Sequence, residues 1–265
     1  MRFLPHDAAD ELLVTPPCLA GGGDPRWVTV ALHQAGGWRY DHTPLSPIVH
    51  LVRPDQQAEL SLYPDPDELS LYPDPDEPWW TILHAPTNEQ PAWYARFGAR
   101  IPVEILAAFT DSLTEPAPEA AAASDPFEIL YAAGWLEHSD VSASSPDSPV
   151  RVERAGQGQG SWFVTTSLPG DPDTVIWRAH LGADTPLHLV AAFTSALTDP
   201  APLRRDPLAL PFQARPHLRT APAPTGPPGV LDPLEQRVQD HAARRRRGAP
   251  SLPPRRPQPP TRRTR

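Results

Sequence analysis

Apolar positions along the chain recur with two periods, one helical and one of two residues, in an order written twice. Trp27, Val28, Val30, Ala31, Leu32 and Ala35 form a helical stripe that opens at Asp24-Pro25 and stops at Gly36-Gly37. Asp24 is placed to cap this helix and Pro25 to occupy its first position. Short β-branched and aromatic runs follow at Trp38 to His42, Ile48 to Val52, Ala58 to Leu62, Trp79 to His84 and Trp93 to Phe97. Proline- and aspartate-bearing turn signals separate them. After Pro102, Val103, Ile105, Leu106, Phe109 and Leu113 share one helical face, and Pro116 ends the run. The pattern then restarts. Asp125-Pro126-Phe127-Glu128 is a capping box, Val150 to Arg154, Ser161 to Thr166 and Val175 to His180 read as strands, and Leu187, Val190, Phe193 and Leu197 stripe a closing helix.

The restart is a sequence repeat. Trp93-x-Ala95-x-x-Gly98-Ala99-x-x-Pro102 recurs at Trp177-x-Ala179-x-x-Gly182-Ala183-x-x-Pro186, an offset of 84. An ungapped spacing of that length predicts two copies of one structural unit. The expected fold is α+β: two tandem repeats, each an antiparallel sheet of about four or five strands flanked by an N-terminal and a C-terminal helix. The expected organisation is a leader (1–15), a first module (16–118), a second module (119–202), a proline-rich linker (203–229), a short basic helix (230–248) and a disordered proline/arginine tail (249–265). A nine-residue segment, Leu60 to Glu68, is repeated at once as Leu69 to Glu77. The second copy reads as an insertion, so one of the two supplies a strand and the other a loop or edge.

Composition sharpens this picture at the ends. The chain of 265 residues has 39 prolines, and its basic residues are all arginine. From Leu203 onward 14 arginines face four acids, a net of +10, whereas the rest carries 9 arginines and 28 acids, a net of −19. An acidic body with a basic tail permits contact of the tail with phosphate, with an acidic surface or with its own body. Cys18 is the single cysteine, which excludes an internal disulfide. No run approaches the ~20 apolar residues of a membrane span, no signal peptide is evident, and a cytoplasmic location without membrane contact is expected.

Candidate chemistry is sparse. Gly21-Gly22-Gly23-Asp24 lacks a leading strand and ends in an acid, so it reads as a turn and cap, not a phosphate cradle. The acidic cluster Asp65, Asp67, Glu68, Asp74, Asp76 and Glu77 is held extended by prolines and reads as a solvated loop, not a calcium site. His33, His42, His50 and His84 have no metal spacing, although His50 and His84 lie in strands and could share a face. No nucleophile motif occurs, so no catalytic, metal or cofactor residue is assigned and the expected cofactor is none. Most tryptophans fall at matched repeat positions and read as core. Trp79-Trp80 stands apart, because adjacent strand residues face opposite ways and one ring should lie outside. Trp79 and Trp80, with Asp65, Asp67, Asp74 and Asp76, are the candidate partner surface. Arg244, Arg245, Arg246, Arg247, Arg255, Arg256, Arg262 and Arg263 are the candidate anion or nucleic-acid contacts, although the tail has no aromatic side chain to stack on bases.

LAGGGDPRWVTVAL, GWRYDHTPLSP, PDPDEPWWTI and AWYARFGARIPVEILAAFTDSLT together resemble the actinomycete, chiefly Streptomyces, repeat known as domain of unknown function 317 or the SPDY-type domain. The resemblance covers about residues 16–200, in both copies. The second copy lacks the glycine-rich opening and the Asp-Pro-Asp-Glu segment, and keeps Ser145-Pro146-Asp147. The family implies no activity, substrate or catalytic residue. The expectation is a non-enzymatic protein-interaction or adaptor protein with an unknown protein partner. The alternatives are a nucleic-acid-associated factor using the arginine tail, and an enzyme with an unrecognised site.

Overall fold

The computed structural model describes residues 11–41, 47–63, 74–114, 125–146, 149–156, 160–224 and 233–248. Helices and antiparallel sheets share one α+β architecture. The main sheet has ten strands: β2 (Arg39–Asp41), β3 (Val49–Val52), β4 (Ala58–Leu62), β5 (Pro78–His84), β6 (Trp93–Gly98), β7 (Leu136–Ser139), β8 (Ser142–Ser144), β9 (Val150–Ala155), β10 (Ser161–Leu168) and β11 (Asp171–Leu181). Their order is β2-β3-β4-β5-β6-β11-β10-β9-β8-β7. Each five-strand half is thus a meander, and the halves meet at β6 and β11. There Phe97 pairs with Ala179, Arg96 with His180 and Ala95 with Leu181. Arg96 and His180 are 84 residues apart, the offset of the sequence repeat, so the same repeat position faces itself across the seam.

Four helices pack in a row beside this sheet: α1 (Arg26–Gln34), α2 (Val103–Thr114), α4 (Leu187–Leu197) and α3 (Pro126–Ala132), touching in that order. Their apolar stripes and one face of the strands make a single core, in which Phe97 lies 5.6 Å from Phe109 of α2 and 5.9 Å from Phe193 of α4. Asp125 caps α3, its carboxylate accepting the Phe127 N–H at 2.9 Å. At α1 the helix starts one residue later than the spacing predicts. Pro25 precedes it, and Asp24 Oδ1 accepts the Arg26 N–H at 2.9 Å. Of the duplicated nonamer, the first copy supplies the strand, with Leu60 and Leu62 buried in β4. Most of the second copy lies outside the described residues.

The chain on either side of the modules differs from the expected leader and linker. β1 (Leu12–Thr15) pairs with β12 (Leu203–Arg205) on one side and β13 (Arg219–Pro222) on the other. Prolines do not prevent this, because the central strand β1 has none and Pro222 ends an edge strand. The other prolines of this stretch begin or punctuate 3₁₀ turns at Pro207–Ala209 and Phe212–His217. Val14, Ala20 and Leu210 form a small core here, while Leu19 and Ala214 join the main one. Arg205, almost fully buried, fixes the small sheet to α2 through two 2.7 Å bonds to Glu104, and it also donates to the Gly21 carbonyl. The glycine run is therefore a packing device. A Cβ on Gly22 would stand 2.8 Å from the Ala99 carbonyl oxygen, and Gly22 itself accepts the Val103 N–H. The last described element is α5 (Pro233–Gly248), which lies against α1.

Candidate functional site

Helices cover one face of the ten-stranded sheet, and alternation sends every second side chain to the other. In β4, Ala58, Leu60 and Leu62 are buried while Glu59 and Ser61 turn outward; in β6, Trp93, Ala95 and Phe97 are buried while Tyr94 and Arg96 turn outward. The ladder register joins the residues on this side into a line across all ten strands, all but Ser142 accessible: Asp41, His50, Ser61, Thr81, Arg96, His180, Phe163, Glu153, Ser142 and Ser139. It is polar throughout except at Phe163.

The centre of this face, at the seam, is its most organised part. Phe163 is 38% exposed and stacks on His180 with ring centroids 4.4 Å apart. Tyr94 meets His180 edge-on at 5.2 Å, its hydroxyl 3.3 Å from Nε2, and the Arg96 guanidinium lies 5.1 Å from the Tyr94 ring centre. Burial, helped by the Arg96 charge, pushes the His180 pKa below its ordinary 6.5, which favours the neutral ring beside the Tyr94 hydroxyl. Leu83, opposite Tyr94 in the ladder, is 47% exposed, and Leu136 of β7 is 52% exposed. Rings, aliphatic side chains and hydroxyls thus share one open surface.

The sequence candidates fall elsewhere. Trp80 is buried in the core, and Trp79 packs half-buried against that core instead of standing free as a contact ring. Asp76 pairs with Arg178 of β11, and Asp74 accepts the Asp76 N–H, so both hold a turn against the sheet. Asp65, Asp67 and Glu68 lie outside the described residues, as do His42, Arg255, Arg256, Arg262 and Arg263. His50 and His84 do not share a face. His50 lies outward between Asp41 and Glu59, 3.5 Å from each, whereas His84 is buried and stacks on Trp93. The ladder explains this, because His50 pairs with Ser61 and His84 with Ala58, an odd number of residues apart on β4.

Of the α5 arginines offered as anion contacts, Arg244 and Arg245 also bond to the body of the protein while remaining exposed. Arg244 donates to Asp111 at 3.0 Å, Arg245 to the Ala35 carbonyl at 3.0 Å, and Arg246 Nε to the Ala242 carbonyl at 3.2 Å. Arg247 lies within the helix, and its side chain is outside the described set. Asp111, Arg237 and His241, which organise this contact, carried no sequence signal, because their partners lie 126 or more residues away.

Catalytic geometry is weak. His138 Nε2 lies 2.8 Å from the Ser144 hydroxyl, but the pair is surface-exposed and no carboxylate makes an ion pair with that histidine among the described residues. Shallow surface depressions of about 150 Å³, near Asp74, Arg100 and Ile176, and about 300 Å³, near Arg39, Tyr40 and Arg53, contain neither residue. Among the described residues no group of three or more His, Cys, Asp or Glu side chains could hold a metal ion. None of their helices is long and apolar enough to cross a membrane.

The model of one protein family matches two stretches of the chain, residues 53–119 and 144–203. The chain is similar to the SPDY domain, a domain of unknown function (DUF317). The first matched stretch runs from the β3–β4 turn through α2, and the second from the end of β8 through α4 to the start of β12. Both therefore include a seam strand and the helix that follows it. No curated protein and no solved structure matches the chain.

Proposed function

We propose that this protein is a non-enzymatic interaction or adaptor protein that binds a protein partner on the open face of its ten-stranded sheet. On this reading its two halves are a pseudo-symmetric pair of repeat units. The pairing of Arg96 with His180, residues at one repeat position, supports that symmetry, since a two-fold axis between like strands places equivalent residues opposite each other. The observation that carries the functional reading is the uncovered surface at the seam. There Leu83, Tyr94 and Phe163 lie outward among hydroxyls, while the helices occupy the other face. Aromatic and aliphatic groups on a flat, mixed-polarity surface suit a protein interface. The exposed Ser144–His138 pair and the shallow depressions favour binding over turnover.

The test compares wild-type protein with Leu83→Ser/Phe163→Ser in quantitative pull-downs with nuclease present, circular dichroism confirming an unchanged fold. Both substitutions lie on the exposed face and spare the core. Partners lost with the double variant support the reading. Partners retained at wild-type levels refute it. A chain ending at Pro224, not at Pro202, is the proper control for the basic region, because an end at Pro202 removes β12 and β13 from the small sheet.

A further inference from the structure

Asp111 collects more cations than one carboxylate can neutralise. Arg237 grips it with two bonds of 2.8 and 3.1 Å, Arg244 reaches it at 3.0 Å, and His241 Nε2 stands 3.4 Å away while also meeting the Thr114 hydroxyl at 3.3 Å. Positions 237, 241 and 244 follow a spacing of four and three, so all three lie on one stripe of α5. The rest of the attachment is also polar. Arg237 donates to the Trp27 carbonyl at 2.7 Å with its guanidinium 5.4 Å from that ring, and Arg245 holds the end of α1. Among the described residues no α5 side chain belongs to the apolar core, and His241 is the one that is buried. A helix held by polar bonds with little buried apolar area, and with its Arg244 arm 45% exposed, is one whose hold a competing ion can reach and displace.

We infer that the inner face of α5 is a nucleic-acid-binding surface held shut on Asp111, so that docking on the body and binding of a phosphodiester strand exclude each other. The groups argue for phosphate. The cations are arginines, whose fork takes phosphate oxygens in pairs, and a strand offers a row of acceptors where the body offers one carboxylate. Arg237, Arg244 and Arg245 each bond to the body when α5 is docked and are released together when it leaves. Competition of this kind is reciprocal: whatever loosens docking strengthens strand binding, and a bound strand uncovers α1 and α2. The inference is independent of the open sheet face, which lies on the other side of the main sheet.

The experiment uses the full chain and a fluorescent 20-nucleotide oligothymidylate, its binding read by anisotropy at low salt. Asp111→Asn, which removes the negative charge and one of the two acceptor oxygens, is expected to tighten binding by about tenfold or more, since apparent affinity rises with the undocked fraction. Asp184→Asn makes the same charge change at an exposed site and is expected to leave affinity within about twofold. In the wild-type chain, hydrogen exchange in α1 and α5 should rise on adding the oligonucleotide. Unchanged or weaker binding by folded Asp111→Asn overturns the inference. So does exchange in the wild-type chain that stays constant or falls, a readout that stands even where the variant does not fold. An inorganic polyphosphate arm separates the sources: opening by polyphosphate alone, with no response to the oligonucleotide, overturns the nucleic-acid assignment.

Discussion

Trp177 and Trp93 occupy the same repeat position and are almost completely buried, at 0% and 4% exposure, yet they differ by one hydrogen bond. Trp177 Nε1 donates to the Cys18 carbonyl at 2.8 Å, tying the N-terminal segment to the core. Trp93 Nε1 is buried without an acceptor, its ring stacked on His84 at 5.1 Å. Replacing either residue by phenylalanine removes the same atoms. The cavity contribution, about 24 cal/mol per Å³ of void, therefore largely cancels between the two variants. Hydrogen bonding remains. Trp177→Phe loses a buried hydrogen bond, a cost of about 1 kcal/mol or more. Trp93→Phe removes an unsatisfied donor and recovers a desolvation cost of similar size. Trp177→Phe should therefore destabilise the protein by at least about 2 kcal/mol more than Trp93→Phe, a factor of roughly 30 in the folding equilibrium. Urea unfolding followed by far-ultraviolet circular dichroism measures both, with the slopes compared to confirm that the same transition is observed. Equal costs, or a larger cost for Trp93→Phe, would refute the argument.

Three further outcomes follow from other parts of the structure. Burial holds the pKa values of His84, His188 and His180 below their ordinary 6.5, with Arg96 adding to the effect at His180, so the unfolded chain binds more protons than the folded one. The stability they contribute is complete above about pH 6.5 and is lost as pH falls through the folded values; a melting temperature that is flat or rises between pH 7.5 and 5.5 contradicts this. Glu104→Ala strands the nearly buried Arg205 and should cost about 3 kcal/mol, with the loss appearing first as faster proteolysis around the small sheet. A wild-type cleavage pattern would show that the pair does not hold that sheet. Deleting Leu69 to Glu77 leaves the same chain as deleting Leu60 to Glu68, because the nonamers are identical. The β4–β5 connection then shortens from residues 63–77 to six residues, a closure gain of about 0.8 kcal/mol, so unfolding should shift by no more than about 1 kcal/mol, and a larger loss would mean that both copies are structural.

Local signals made the repeated elements legible in the sequence. Asp125-Pro126 marked α3, and the apolar stripes after Pro102 and Pro186 marked α2 and α4. Strand parity also encoded the open face, since Tyr94 and Arg96 alternate with the buried Trp93, Ala95 and Phe97, but parity does not reveal which face the helices leave uncovered. β7 and β8 escaped because Leu-Glu-His-Ser and Ser-Ala-Ser have little apolar content and form by pairing, β8 on β9 and β7 on β8. The small sheet escapes because proline density alone signals an unpacked linker, whereas here the prolines lie on its edge strand and turns. Asp111 looked like any polar residue on a helix; its role depends on cations brought from the far end of the chain.

The seam bears on what a severed chain would do. β6 and β11 are interior strands only because each covers the other; with the halves separated, each would become a bare edge beside a core cut open between α2 and α4. The register that sets Arg96 against His180 equally permits Arg96 of one first half to sit opposite Arg96 of another, with Ala95 against Phe97 on either side. A free first half therefore carries the instructions for joining its own kind. The covalent connection resolves that ambiguity by keeping the unlike partner at an effective concentration on the order of millimolar. Which halves meet is decided by tether length as much as by side-chain fit.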